Sequence, residues 1–376
     1  MGNKTSVPKK EEPRSLKPDE IVPNAPPTIP LPVPDFLFGL HSMTTSLALT
    51  LDTPLATASP RYPAQEWTAP LESDHMVNSV RPSVNTDIAN WRPTEVETER
   101  QFYTADTPYI LPIDEIEQTR LELQHKMLRL AFGEDVICPE ARKLIRSHQT
   151  KVLDVGCANG AWMDALFSAG NVNCEYHGVD IAANWFDGGM ICGARLEVGN
   201  VLERLPYPDN LFDYVHQRNL ILAIPKRKWV DVISELCRVT RPGGWIELVE
   251  CDAVVFHDGP ASQAVMKPLN EAYEKRGFDN LLGSSLYDYA NDSGMLVNVE
   301  TKMVSIPVGW GGDAGNLLRK DFKLVLMALQ DWMSKVLDVS PEVYKDMVEK
   351  ANAEWPTTKT FINFHCVYGQ VKNKYP

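Results

Sequence analysis

The chain has 376 residues, 44% of them hydrophobic, enough for a substantial core in one large domain with a tail or in two domains. A formal net charge of -13 argues against a polyanion as the main partner, since duplex binding needs Lys and Arg to neutralise phosphates, so no nucleic acid partner is expected. The seven cysteines are odd in number and form no Cys-x-x-Cys pair, which points to a reducing compartment and to no metal site.

At the N-terminus, Met1-Gly2-Asn3-Lys4-Thr5-Ser6 fits the N-myristoylation pattern, with Lys9 and Lys10 close behind. The expectation is a plain disordered start, with acylation of Gly2 as the alternative; a single acyl chain binds membranes only marginally, so that would give a weak membrane association. No apolar segment directly follows this polar, Lys-rich start, so no secretory signal is read. The uncharged stretch from Phe36 to Leu51 is too short to span a bilayer. The cytoplasm is the expected location, with the nucleus and a membrane surface left open.

Fifteen of the 28 prolines fall within the first 93 residues, and stretches such as "IVPNAPPTIPLPVP" cannot sustain a regular backbone hydrogen-bond ladder. Residues 1–92 therefore read as a disordered Pro-rich region and 93–376 as the folded domain. The apolar patch "DFLFGLHSMTTSLALTL" inside the tail is either a docking segment for protein partners or a linker without a defined partner.

Within the domain, Ile116, Leu123, Met127 and Leu130 recur at helical spacing, Asp114 and Glu117 stand where a capping box would put them, and Gly133 can close the end. A shorter helix follows, with Pro139 in its first turn and Leu144 and Ile145 on its inner face. Short apolar runs then alternate with helical ones: Val152 to Val155, Tyr176 to Ile181, Leu196 to Val198, Phe212 to Val215 and Trp245 to Val249. Two more strands are expected at about Met295 to Val308 and Phe361 to Val371. Runs without alternation point to a parallel sheet covered on both faces, a doubly wound α/β domain.

In such a sheet ligands bind beyond the carboxyl ends of the strands, so the turn after the first strand, "KVLDVGCANG", faces the cofactor. Its spacing is Gly156-x-Ala158-x-Gly160, with the last glycine four positions after the first. A dinucleotide fingerprint places that glycine five positions on, at the helix N-terminus that meets a pyrophosphate. The shorter spacing suits S-adenosylmethionine, which has no pyrophosphate but carries an amino-acid tail and a sulfonium. Asp154 is placed for the ammonium side of that tail. Asp180, at the end of "YHGVD", is placed to accept the two ribose hydroxyls, although a dinucleotide site uses an acid there as well. Asn200 ends the third strand, where it can meet the adenine edge or serve as a turn former.

Taken in order, "VLDVGCANG", "GVD", "LPYPDNLFDYVHQRNL" and "LCRVTRPGGWIELVE" resemble the motifs of class I S-adenosylmethionine-dependent methyltransferases. With "PYILPIDEIEQTRLELQHKML" ahead of them, the chain is similar to fungal methyltransferases related to secondary-metabolism regulators and to trans-aconitate methyltransferase. The resemblance spans roughly residues 100–376. It implies a Rossmann-like class I methyltransferase fold, with a seven-stranded, mostly parallel sheet, helices on both faces and N-terminal cap helices. It also implies S-adenosyl-L-methionine as cofactor, contacted by Asp154, Gly156, Cys157, Ala158, Gly160, Asp180, Ile181, Asn200, Val201 and His216. The chain departs from the pattern at Ala158 and Asn200, where many relatives carry Gly and Asp.

A sulfonium is already an activated methyl donor, so no catalytic triad is needed. In "VHQRN", at the crevice edge, His216 is a candidate base, though a His near a strand end is more often a structural hydrogen-bonder or cofactor neighbour, and Arg218 is a candidate clamp for an acidic acceptor or a member of an internal ion pair. The helix expected to hold Tyr103, Tyr109, Leu121, Gln124 and His125 resembles the cap over the cofactor. In the C-terminal segment, Trp310, Met327, Trp332 and Met333 at partly helical spacing are more often core than acceptor pocket, although the segment lies where an insertion would shape the acceptor site. The expected reaction is methylation of a small molecule, the acceptor itself being unspecified. A regulator acting through protein partners of the tail is the alternative, and a nicotinamide-dependent oxidoreductase is the third class.

Overall fold

Capping chemistry sets where the first helix begins. The Asp114 carboxylate accepts the Glu117 N–H at 3.0 Å, and Gly133, left-handed at φ 80°, donates its N–H to the Arg129 carbonyl. Between them runs α1, Glu115–Phe132. The computed structural model describes residues 100–103, 107–147, 149–182, 185 and 192–373. The expected disordered region 1–92, its docking patch, the acylation site at Gly2 and the boundary at residue 93 lie outside the described residues.

The apolar spacing of α1 does not mark its buried face. Met127 is buried, but Ile116 and Leu130 are 52% and 55% exposed, and the inward face instead carries Glu117, Arg120 and His125. A helix that buries charge is normally covering something other than plain core. Next comes α2, Pro139–Ser147, which sinks Ile145 into the interior.

From there strands and helices alternate: β1 (Lys151–Val155), α3 (Ala161–Ser168), β2 (Glu175–Asp180), β3 (Arg195–Val198) and β4 (Phe212–Arg218). They continue with α4 (Trp229–Val239), β5 (Thr240–Cys251), α5 (Pro260–Lys275), α6 (Leu282–Asp292) and β6 (Leu296–Pro307). The chain ends with α7 (Asp313–Ala328), α8 (Gln330–Leu337), α9 (Pro341–Thr358) and β7 (Phe361–Val371). All seven strands expected from the sequence form. β4 runs on through His216, Gln217 and Arg218, further than its apolar run, because neighbouring strands continue the ladder on both sides.

The sheet has the order β3-β2-β1-β4-β5-β7-β6. Every pair from β3 to β5 is parallel, and β7 enters antiparallel between β5 and β6. The order reverses between β1 and β4, which opens a crevice beyond their carboxyl ends. Beneath it the core is closed by fully buried Trp162, Trp229, Trp332 and Trp355. Among the described residues no helix is long and apolar enough to cross a membrane.

Two carboxyl groups on β5 act as internal struts. Glu247 Oε2 accepts the N–H groups of Ile137 and Cys138 at 2.8 and 2.6 Å, and Glu250 accepts those of Leu220 and Ile221 at 2.8 and 3.2 Å. Burial outweighs these bonds and pushes Glu247 up to about 7 and Glu250 up to about 8. Folded protein thus holds protons that the unfolded chain has released above the ordinary carboxylate range, so stability falls as pH rises toward about 8. The melting temperature should be lower at pH 8.5 than at pH 6. Glu250→Gln should flatten that slope, as thermal denaturation across the range would read.

Candidate functional site

The turn after β1 is built by left-handed backbone. Gly156, Ala158 and Gly160 have φ of 70°, 45° and 76°, and the Gly156 and Cys157 N–H groups donate to the Val179 carbonyl of β2. A Cβ at Gly156 would lie 2.8 Å from Leu220 Cδ2, so a side chain here would have to move the end of Leu220, and the dihedral favours glycine. Ala158 adopts the same region with a side chain, which costs roughly 1–2 kcal/mol. Its N–H is held by Asp180 Oδ2 at 3.0 Å.

One cavity gathers most of the residues expected from the sequence. The turn contributes Asp154, Gly156, Cys157 and Ala158, the end of β2 contributes Asp180 and Ile181, the end of β3 contributes Asn200 and Val201, and the end of β4 contributes Arg218. Two expected contacts are displaced. Gly160 is the N-cap of α3 and is not in the wall, although its neighbours Asn159 and Ala161 are. His216, read as a base at the crevice edge and as a cofactor contact, is 1% exposed and is not in the wall either. Its Nδ1 lies 2.9 Å from Asp154 Oδ1 and its ring stacks on Trp162 at 3.9 Å, so β4 turns it inward.

Arg218 keeps its place at the edge. Among the described residues it forms no ion pair, and its Nη1 lies 3.1 Å from His125 Nδ1. Burial pulls its guanidinium below its ordinary value, opposed by Asp154 and Asp135. The same pairing keeps His125 neutral, pushed down to about 3 by burial and then by Arg218.

Asp180 has the complementary character. Its two oxygens accept backbone N–H groups from Ala158 and Ala182, both at 3.0 Å, and burial still pushes it up to about 6. Asn200 Oδ1 accepts the Leu202 N–H at 3.0 Å, so it is a turn former while it also lines the cavity, with its amide nitrogen spare.

The cap differs in detail from the expectation. Tyr103 and Tyr109 precede α1 rather than lying on it, and Tyr109, Leu121 and Gln124 reach the cavity while Tyr103 does not. Sequence reasoning missed the ionic seam behind them: Arg120 bonds Glu117 at 2.7 Å and Asp321 of α7 at 2.7 Å, all three being buried. It also missed Trp185. Trp332 and Met333 are core, and the C-terminal insertion reaches the cavity instead through Leu318, Asp321, Phe322 and Val325 of α7. Their i, i+3, i+4, i+7 spacing was the available signal, obscured by the Asp within it.

In strand order, in the tight left-handed turn and in the acid ending β2, the chain resembles the class I S-adenosylmethionine-dependent methyltransferases. Residues 152–244 match the family model described as a methyltransferase domain. The chain is similar to methyltransferase grgD of a Penicillium species, at 29% identity over 177 residues, 44% of this chain and 60% of that protein. It is also similar to N-methyltransferase sirN of Leptosphaeria maculans, at 23% identity over 283 residues, 71% of this chain and 97% of that protein. A solved structure of Haemonchus contortus phosphoethanolamine N-methyltransferase 2 in complex with S-adenosyl-L-methionine aligns at 18% identity and a TM-score of 0.40, covering 69% of this chain and 59% of that one.

S-adenosylmethionine is the cofactor of this family, and the donors and acceptors present fit it. A buried carboxylate that meets only backbone donors suits a ribose diol, and a guanidinium without an acid partner among the described residues suits a carboxylate. At 156 the left-handed dihedral and the nearby end of Leu220 both favour Gly. Ala158→Gly should release the strain at φ 45° and raise stability by up to ~1 kcal/mol, with cofactor affinity equal or tighter. Thermal melts and calorimetric titration of the two proteins check this.

Proposed function

We propose that the chain transfers a methyl group from S-adenosylmethionine to a small, largely apolar acceptor. The observation that carries this reading is that the cavity does not stop at the cofactor turn. It continues to Met266, Leu269 and Tyr273 of α5, Leu318 and Phe322 of α7, and Phe364 of β7. Such a lining excludes water and holds an apolar molecule by burial, while a few polar groups fix its orientation.

Those polar groups are Arg120, Gln124, Asn219 and Asp321, which form one strip. Asn219 donates to Gln124 Oε1 at 2.8 Å and keeps its own Oδ1 without a partner, buried at the wall. When bound, the cofactor supplies an activated methyl on sulfur; the protein's share is to align the acceptor and exclude solvent. His216 is not assigned as a base, because its ring is closed in between Asp154 and Trp162.

Calorimetric titration with S-adenosylmethionine should show binding by the purified protein. Gly156→Asp should abolish it, since the new side chain collides with Leu220 and sets a charge in the turn. Incubation with methyl-labelled cofactor and a fractionated cell extract should put label in the small-molecule fraction. Label confined to protein, or a cellular effect that survives Gly156→Asp, would favour the regulatory alternative. Leu269→Trp fills the apolar end and should remove turnover while changing cofactor affinity by no more than about twofold.

A further inference from the structure

His216 is set behind the cavity wall, yet its strand partner is part of that wall. β1 and β4 pair with Asp154 directly beside His216, so the two side chains share a face of the sheet. Asp154 is 3% exposed and lines the cavity, and the Nδ1 to Oδ1 distance is 2.9 Å. The imidazole lies against the Trp162 indole with ring centroids 3.9 Å apart and 4° between the planes. That indole is itself tethered, its Nε1–H donating to the Asp135 carbonyl at 2.7 Å. Burial lowers the imidazole below its ordinary range, and the carboxylate calls for the tautomer with hydrogen on Nδ1.

Resting on the S-adenosylmethionine reading above, we infer that His216 is a positioning residue that donates Nδ1–H to Asp154 Oδ1 and so leaves Oδ2 for the α-ammonium group of the cofactor's amino-acid tail. Without this donor the carboxylate can rotate about its terminal torsion, which has only broad preferences. Trp162 fixes the ring that fixes the acid. The arrangement matches the general one in which a second residue orients the group that touches the ligand.

Two probes and three variants test this. S-adenosylhomocysteine carries the amino-acid tail, and 5′-methylthioadenosine presents the same nucleoside without it. The amide nitrogen of His216→Asn can stand where Nδ1 stands, that of His216→Gln stands nearer Nε2, and Asp154→Asn removes the acid's charge.

By calorimetry, His216→Gln and Asp154→Asn should each weaken S-adenosylhomocysteine by about tenfold or more, the scale of one hydrogen bond to a charged group. 5′-Methylthioadenosine should change by no more than about twofold, and His216→Asn should bind both probes as the parent protein does. A merely structural histidine would weaken both probes together in both His216 variants, and that outcome overturns the inference. So does a His216→Gln protein that keeps full affinity for S-adenosylhomocysteine. Should His216→Gln fail to fold, His216→Asn and Asp154→Asn still decide, because retention by the first and tail-selective loss by the second are both required. If the parent protein binds neither probe, the cofactor reading itself has failed, which is a separate result.

Discussion

Strand order reverses between β1 and β4, and the register of that one parallel pair governs the site. Because Asp154 sits beside His216, the two strands end at nearly the same level, and the loops that follow must diverge to opposite sides. The space left between them is the cavity. Gly156 then has to pass close under Leu220, and β5 holds Leu220 in place by offering Glu250 to its N–H. A turn, a neighbouring loop and a buried carboxyl group thus depend on one another, Gly156 by leaving room for Leu220 and Glu250 by accepting the Leu220 N–H at 2.8 Å. Shifting β4 by one residue would turn His216 toward the other face and Gln217 toward Asp154.

Over this frame lies a roof held by charge rather than by apolar packing alone. Arg120 joins α1 to α7 through Asp321 and is backed by Glu117 one turn away. Burying these ions is unfavourable in itself, and burial raises both acids, yet Asp321 and Glu117 together hold the guanidinium above its ordinary value. Removing Arg120 would leave two buried acids unmatched, and removing Asp321 would break the link between α1 and α7. That link is what gives the apolar end of the cavity a defined width.

How much of this could be read from residues alone depended on whether burial and apolarity coincided. For the strands they did: short runs such as Val152 to Val155 are apolar and buried, and the sheet is as expected. The end of β4 is buried and polar, so His216 looked like a rim residue when it is an interior one. α1 gave the opposite error, with Ile116 and Leu130 apolar and exposed while Arg120 is polar and buried. Asp154, Gly156 and Asp180 reach the cavity wall because the end of β1, its turn and the end of β2 place them there. Asp321 was not legible, because only the fold brings it from far along the chain to Arg120.

The excursion that carries α7, α8 and α9 leaves from Pro307 and returns at Phe361, and these two residues are paired in the ladder between β6 and β7. Topologically it is an enlarged hairpin loop whose ends are already stapled by the sheet, with Val308 donating to the Thr360 carbonyl at 2.8 Å. Added length inside such a loop costs little extra closure entropy, while Trp332, Trp355 and Asp321 tie its interior to the core and to α1.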